Sequence, residues 1–424
     1  MSIPLDRLYH YIESIAEEIN GSSIVIYRFY PHGSKKLEDL CETKLLTWKE
    51  MSLLPGIFCH DQEPLNYNFY EDYRLCPKIV SPLIAIIRSL GIGVLKNNLK
   101  RRLNIYDQTL LLHSEQRSKN LEQYKQNKFI TIYYWNHAVL ALDWFRYAEQ
   151  VSIKKKVTKN FLIYNRAWTG TREYRLKFAD LLADNELTNN CITSVALEDY
   201  KDHQFANPIW KPKRELEKYF TNNSVPSWYS ADFTIEDYAL TDIEVVLETM
   251  FDDDRLHLTE KSLRPISLAQ PFILAATHGS LEYLRSYGFK TFDSVWDESY
   301  DLIEDPAKRL QAVIKLMKTI SQWDPMTRLE NMNKAQAISA YNKQYFFSKE
   351  FFTCVTEELK NNLTNAINEF NLAKSSNNWL DWWDNALTYK SICDYFETTC
   401  TDSSLTPNKE QFNSVYKEAK KYIK

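Results

Sequence analysis

All eight glycines of this 424-residue chain lie at or before Gly288, and the 136 residues after it contain none. Glycine supplies positive-φ turns and lets backbone approach a ligand closely, so its loss marks a change of architecture. The glycine-free third is rich in Glu, Lys, Asn and Leu. Between 307 and 320, Leu310, Val313, Ile314, Met317 and Ile320 fall on one helical face. The stretch 351–370 repeats that period. Residues 379–423 read as two or three further helices, the last opened by Thr406-Pro407. A mainly helical region is therefore expected over 305–424.

The glycine-bearing part reads differently. Short runs rich in β-branched and aromatic residues alternate with amphipathic stretches. One series of expected strands is 23–29, 56–59, 108–113 and 129–135; a second is 160–165, 190–195, 243–248 and 271–277. Repeated strand-then-helix units imply mainly parallel α/β sheets covered on both faces. The basic, glycine-free stretch 152–159 reads as the junction, which divides the chain into 1–152, 153–304 and the helical 305–424. A chain of this length exceeds one ordinary core.

Composition narrows the function classes. A hydrophobic fraction of 44% with 25% charged residues is that of a globular protein rather than a disordered one. The net charge of -4 argues against bulk coating of nucleic acid and leaves room for a local basic groove. Seven scattered cysteines, with no Cys-x-x-Cys, fit reduced thiols and no structural zinc. The first residues lack a basic segment followed by an apolar run. The most apolar stretch, 79–95, is broken by Pro82, Arg88, Gly91 and Gly93 short of the roughly 18 residues a membrane span needs. A soluble, cytoplasmic protein without membrane contact is expected. Neither Gly-x-Gly-x-x-Gly nor Gly-x4-Gly-Lys-Ser/Thr occurs, so the dinucleotide-dehydrogenase and P-loop readings fail at their fingerprints.

In open α/β sheets ligands bind beyond the carboxyl ends of the strands, so the residues just after each strand are the first candidates. They are His60-Asp61-Gln62-Glu63-Pro64, His113-Ser114-Glu115, Asn136-His137 and Asn165-Arg166-Ala167-Trp168-Thr169-Gly170-Thr171-Arg172. Asp61 and Glu63, stiffened by Pro64, are candidates for a general base; the plainer alternative is a turn capped by Asp61. His113 and His137 read equally as hydrogen-bonded structural histidines. Gly170 allows a tight turn into a helix near Thr171, whose N–H groups with Arg166 and Arg172 suit a diphosphate. Here the alternative is that Arg172 and Arg175 pair with Glu173 or Asp180 on a solvated face.

The most informative stretch is Leu258-Thr259-Glu260-Lys261-Ser262-Leu263-Arg264-Pro265, an N-capped helix that leads through Gln270-Pro271 into the strand at Phe272. It resembles the donor-binding segment of GT-B glycosyltransferases, most nearly the fucosyltransferase-like Thr-Glu-Lys pattern. That resemblance implies Rossmann-like lobes facing a cleft, the acceptor on 1–152 and a nucleotide-sugar donor on 153–304. It implies Glu260, at an exposed helix start, on the donor ribose, Lys261 on the diphosphate, and Arg166 beside it. The segments around Asp61-Gln62-Glu63-Pro64, Tyr164 to Gly170, Gly279 to Phe292 and Asp297 to Asp301 also look like glycosyltransferases of tailed bacteriophages. The phage likeness covers roughly 55–305 and implies 5-hydroxymethylcytosine in phage DNA as acceptor, with glucose or a pentose such as arabinose transferred from a UDP-sugar. A glycan or small-molecule acceptor, or a silent nucleotide-sugar-binding module, are the alternatives.

Asp252-Asp253-Asp254 could be taken for a metal-binding Asp-x-Asp but reads as an acidic loop, and no obligatory metal is expected. The basic runs 96–102 and 154–159 read first as solvated faces. The acceptor alternative for the earlier run uses Lys96, Lys100, Arg101 and Arg102, with His60, His113, Asn136 and His137 nearby and Trp135 stacking on an extruded base.

Overall fold

The computed structural model describes residues 5–21, 25–29, 41–42, 56–65, 109–126, 129–222 and 230–376. Its strands are β1 (Val25–Phe29), β2 (Cys41–Glu42), β3 (Gly56–Cys59), β4 (Thr109–His113), β5 (Phe129–Tyr133), β6 (Lys159–Asn165), β7 (Cys191–Val195), β8 (Thr241–Leu247) and β9 (Phe272–Ala275). Its helices are α1 (Leu5–Asn20), α2 (Lys119–Gln126), α3 (Asn136–Trp144), α4 (Tyr174–Asp184), α5 (Ile235–Leu240), α6 (Glu260–Ser267), α7 (Ser280–Ser286), α8 (Pro306–Ser321), α9 (Pro325–Phe346) and α10 (Lys349–Ser376). All eight expected strands are present, with ends displaced by at most two residues. The protein is mixed α/β with parallel sheets.

The chain forms two compact units. One draws on Met1–Leu8, Ser114–Ser118 and Tyr133–Leu359, the other on Tyr9–His113, Lys119–Ile132 and Lys360–Lys424. The units do not break at 152 or 304. Helix α3 packs on α6, α9 packs on α6, and α8 packs on α4 and β9, so both flanks of 153–304 join its sheet.

In that unit the strand order is β7-β6-β8-β9, and every pairing is parallel. Strands β7 and β9 are buried throughout, and β6 and β8 nearly so, as a parallel sheet covered on both faces requires. Helix α8 begins at Asp305, whose side chain accepts from Lys308 N, with Pro306 in the first turn. It buries Leu310, Val313, Ile314, Met317 and Ile320, the face read from the sequence. Helix α9, which no single apolar stripe announces, buries only Ala335, Ser339, Asn342 and Phe346.

The other unit holds a sheet of order β2-β1-β3-β4-β5, with β1, β3 and β4 parallel. Strand β2 is antiparallel to β1, pairing Arg28 with Glu42; two residues are too few to give a periodic signal. In this unit α1 buries Ile12, Ile15 and Ala16, at helical spacing, and β4 buries Leu110, Leu111 and Leu112.

Candidate functional site

The order β7-β6-β8-β9 puts β7 on one side of β6 and β8 on the other, so the chain reverses direction across the sheet between β6 and β8. Such a switch point leaves a crevice beyond the strand ends. Two segments leave it, one after Asn165 and one after Leu247, and the start of α4 ties them together. Tyr174 donates its hydroxyl to Glu248 O (2.7 Å). Arg175 donates to Leu247 O (2.6 Å), Glu248 O (3.1 Å) and Ala167 O (2.6 Å). Arg175 is fully buried and meets backbone carbonyls, not the solvated Glu173 or Asp180 pairing weighed from sequence. Asp180 pairs with Lys177 and Arg214, and Glu173 accepts from His203 and the N–H groups of Ala206 and Asn207. Burial first, and then neighbouring Arg172, hold the Arg175 guanidinium below its ordinary value.

Trp168 anchors the turn after β6. Its indole N–H donates to Glu198 O (3.0 Å), and its ring packs with Leu176, Ala179, Val195, Tyr200 and Leu216. Beyond this anchor Gly170 takes φ +65°, the left-handed conformation expected of it, and Gly170–Arg172 form a 3-10 turn into α4. Thr169 and Gly170 are exposed, and Arg172 is half-buried. Among the described residues the Arg172 side chain makes no hydrogen bond or ion pair, while its backbone N–H donates to Thr169 O (3.4 Å). Arg166 is half-buried, lies 4.5 Å over the Tyr164 ring and donates to Asp232 O (2.7 Å). Burial, and then nearby Arg264, lower its pKa. Arg264 reaches the other guanidinium distance on Tyr164, 4.8 Å, and is paired with Glu244.

The second segment is organised by Glu248, the last residue of the expected strand 243–248. The buried carboxylate of Glu248 accepts from Thr259 N (2.9 Å), Thr259 Oγ1 (2.8 Å), Ser262 N (3.2 Å), Ser262 Oγ (2.6 Å) and Thr249 N (3.0 Å). It fills the N-terminus of α6, where the helix dipole favours an anion. Thr259 is the N-cap, as expected, with its side chain accepting from Lys261 N.

Glu260 was expected at an exposed helix start; it is buried, because α3 packs against α6 there. Its Oε1 lies 2.8 Å from Lys261 Nζ and its Oε2 3.2 Å from His137 Nδ1. Burial would raise the Glu260 carboxyl, but Lys261 and His137 outweigh it and hold it well below the carboxylate range. Lys261 Nζ also reaches Thr249 Oγ1 (3.3 Å) and Thr259 Oγ1 (3.2 Å). His257 stands edge-on to His137, with ring centroids 5.2 Å apart and its Nδ1 3.2 Å from Ser114 Oγ. Burial first, and then His137, push the His257 imidazole well below its ordinary value.

The remaining candidates scatter. Asn136 and His137, expected on the acceptor side, belong to the same unit as Glu260 and are buried on α3. Trp135 is not available to stack on a base: it is fully buried among Tyr283, Tyr287, Phe289 and Phe351, and donates to Leu258 O (2.9 Å). His60, Asp61 and His113 lie buried in the other unit, and Glu63 is half-buried there. Asp61 accepts from Tyr9 Oη (2.9 Å), and burial pushes His60 down to about 4. Lys96, Lys100, Arg101 and Arg102 lie outside the described residues.

Two plainer readings also change. The acidic loop is not merely solvated: Asp252 accepts from Trp210 Nε1, Asp253 pairs with Arg255, and Asp254 lies 3.4 Å from His278. Within the basic run, Lys155 is not on a solvated face but donates to Tyr238 O and Thr241 O (both 2.8 Å) and to Gln270 Oε1. Among the described residues no group of three His, Cys, Asp or Glu is placed to hold a metal ion, and no helix is long and apolar enough to cross a membrane. Comparison with protein-family models, with curated proteins and with solved structures returns no match.

Proposed function

We propose that the chain is a glycosyltransferase of the GT-B type that takes its nucleotide-sugar donor at the switch point between β6 and β8. The observation that carries this reading is that the Gly170–Arg172 turn follows β6 and Glu248, which binds the start of the Thr259-Glu260-Lys261 segment, follows β8, so both lie beyond the carboxyl ends of two adjacent parallel strands. A nucleotide diphosphate needs cations and free N–H groups at one end and a carboxylate for vicinal hydroxyls at the other. The reading puts the diphosphate against Gly170, Thr171 and Arg172 rather than on the first turn of α6. Glu248 already satisfies that turn, and a phosphate there would face a like charge. Glu260 takes the ribose: a carboxylate has about four lone-pair sites, and Lys261 and His137 engage only part of them.

The leading acceptor is 5-hydroxymethylcytosine in phage DNA, with glucose or arabinose from a UDP-sugar. This rests on the likeness to phage glycosyltransferases alone. Asp61 or Glu63 serves as base if the reaction inverts the anomeric centre. A glycan or small-molecule acceptor is the second enzymatic reading. A silent binding module would bind donor without turnover.

Calorimetric titration of the wild type with uridine diphosphate and with uridine tests donor use. Tighter binding of the diphosphate by about tenfold or more is expected, the worth of one charge-assisted hydrogen bond. Equal affinities, or no binding of either, would remove the reading.

A further inference from the structure

We infer that His137 is a positioning residue for Glu260, fixing the direction of the carboxylate that receives the nucleotide hydroxyls; this rests on the nucleotide-sugar reading above. His137 sits in the first turn of α3 and Glu260 in the first turn of α6, and these helices pack together. The two carboxylate oxygens face different partners: Oε1 accepts from Lys261 Nζ at 2.8 Å, and Oε2 lies 3.2 Å from His137 Nδ1. The three side chains are only 6%, 12% and 5% exposed for Glu260, Lys261 and His137. A carboxylate clamped at both oxygens offers its remaining lone pairs in one direction, as two vicinal hydroxyls require.

Charge balance alone does not require the second clamp, because Lys261 already neutralises Glu260. The titratable groups seen against His137 include Glu260 of α6, itself paired with Lys261, and His257 just before that helix. Imidazole is the side chain that changes charge near neutral pH. Its protonation takes the Glu260–Lys261–His137 group from net zero to +1 at the ribose end of a negatively charged donor. Donor binding then tightens as pH falls.

The probe is UDP-glucose, whose phosphates do not titrate near neutrality, in calorimetry at about pH 5.5 and about pH 8. Wild type is expected to bind several-fold more tightly at the lower pH. H137A is expected to lose about tenfold at both. H137N keeps an amide N–H near the place of Nδ1 but cannot charge; it should match wild type within about threefold at the higher pH and lack the acid gain. H137A binding like wild type, or H137N no better than H137A, overturns the inference and leaves the nucleotide reading standing.

A ligand-free arm follows the His137 ring proton by NMR. Its titration midpoint should fall by about a unit in E260Q, since an opposing carboxylate is removed. An unmoved midpoint overturns the pairing whatever binds. A moved midpoint without any UDP-glucose binding by wild type instead brings down the nucleotide reading, and the positioning role with it.

Discussion

The Ser262 hydroxyl donates to Glu248 Oε1 across 2.6 Å, joining the end of one parallel strand to the first turn of the helix that leads to the next. With Thr259 and Thr249, this gives one buried carboxylate five hydrogen bonds. Glu248→Ala leaves the Thr259 and Thr249 N–H groups and the Thr259 and Ser262 hydroxyls buried without this acceptor. A loss of about 3–5 kcal/mol is expected in urea-induced unfolding. A loss under about 1 kcal/mol would show that the helix start rearranges at little cost.

Arg172 and Gly170 separate binding from stability. The Arg172 side chain has no hydrogen-bond or ion-pair partner among the described residues, so Arg172→Ala should leave the unfolding midpoint unchanged while weakening uridine diphosphate binding by roughly 10- to 150-fold. A Cβ at Gly170 meets nothing within 4 Å, so Gly170→Ala costs only the left-handed backbone, about 1–2 kcal/mol. Unchanged diphosphate affinity in Arg172→Ala would move the phosphate elsewhere.

Trp135 behaves as core. Trp135→Ala should destabilise by about 3–5 kcal/mol, because a large ring is lost from a packed aromatic cluster. Chemical denaturation at constant pH checks this. A stable variant with weakened acceptor binding would instead restore the stacking role.

How much of this was legible beforehand follows from the range of each signal. The eight strands were, because each buried run carries its own β-branched and aromatic residues between polar stretches. Gly170 and Thr259 were also legible, since a positive-φ turn and an N-cap are local chemistry. The clamp on Glu260 was not: His137 is 123 positions away in sequence, and only the packing of α3 on α6 brings it near. Glu248 could have been suspected from a carboxylate closing a strand eleven residues before Thr259, but nothing local says that it turns inward. Trp135 misled because an aromatic after a strand looks the same whether it meets ligand or core.

His60 should impose a defined pH dependence. The folded imidazole releases its proton at about 4 and the unfolded one near 6.5, so between these values the unfolded chain binds more protons. Stability contributed here is therefore lost as pH falls through that window, by about 3 kcal/mol in total. Subtracting the stability of His60→Gln from that of wild type at each pH isolates the effect. A difference that stays flat from about pH 7.5 to 4 would show that His60 takes up its proton in the folded state.

Transfer itself is the most direct test of the account. The protein is incubated with a panel of UDP-sugars and with DNA containing 5-hydroxymethylcytosine, a glycan mixture or small hydroxyl acceptors, and the acceptors are then weighed by mass spectrometry. The account predicts that one acceptor gains the mass of one sugar, with release of the nucleotide diphosphate, and that Arg172→Ala strongly reduces the gain. An unchanged mass for every acceptor, with no nucleotide sugar bound or consumed, would contradict it.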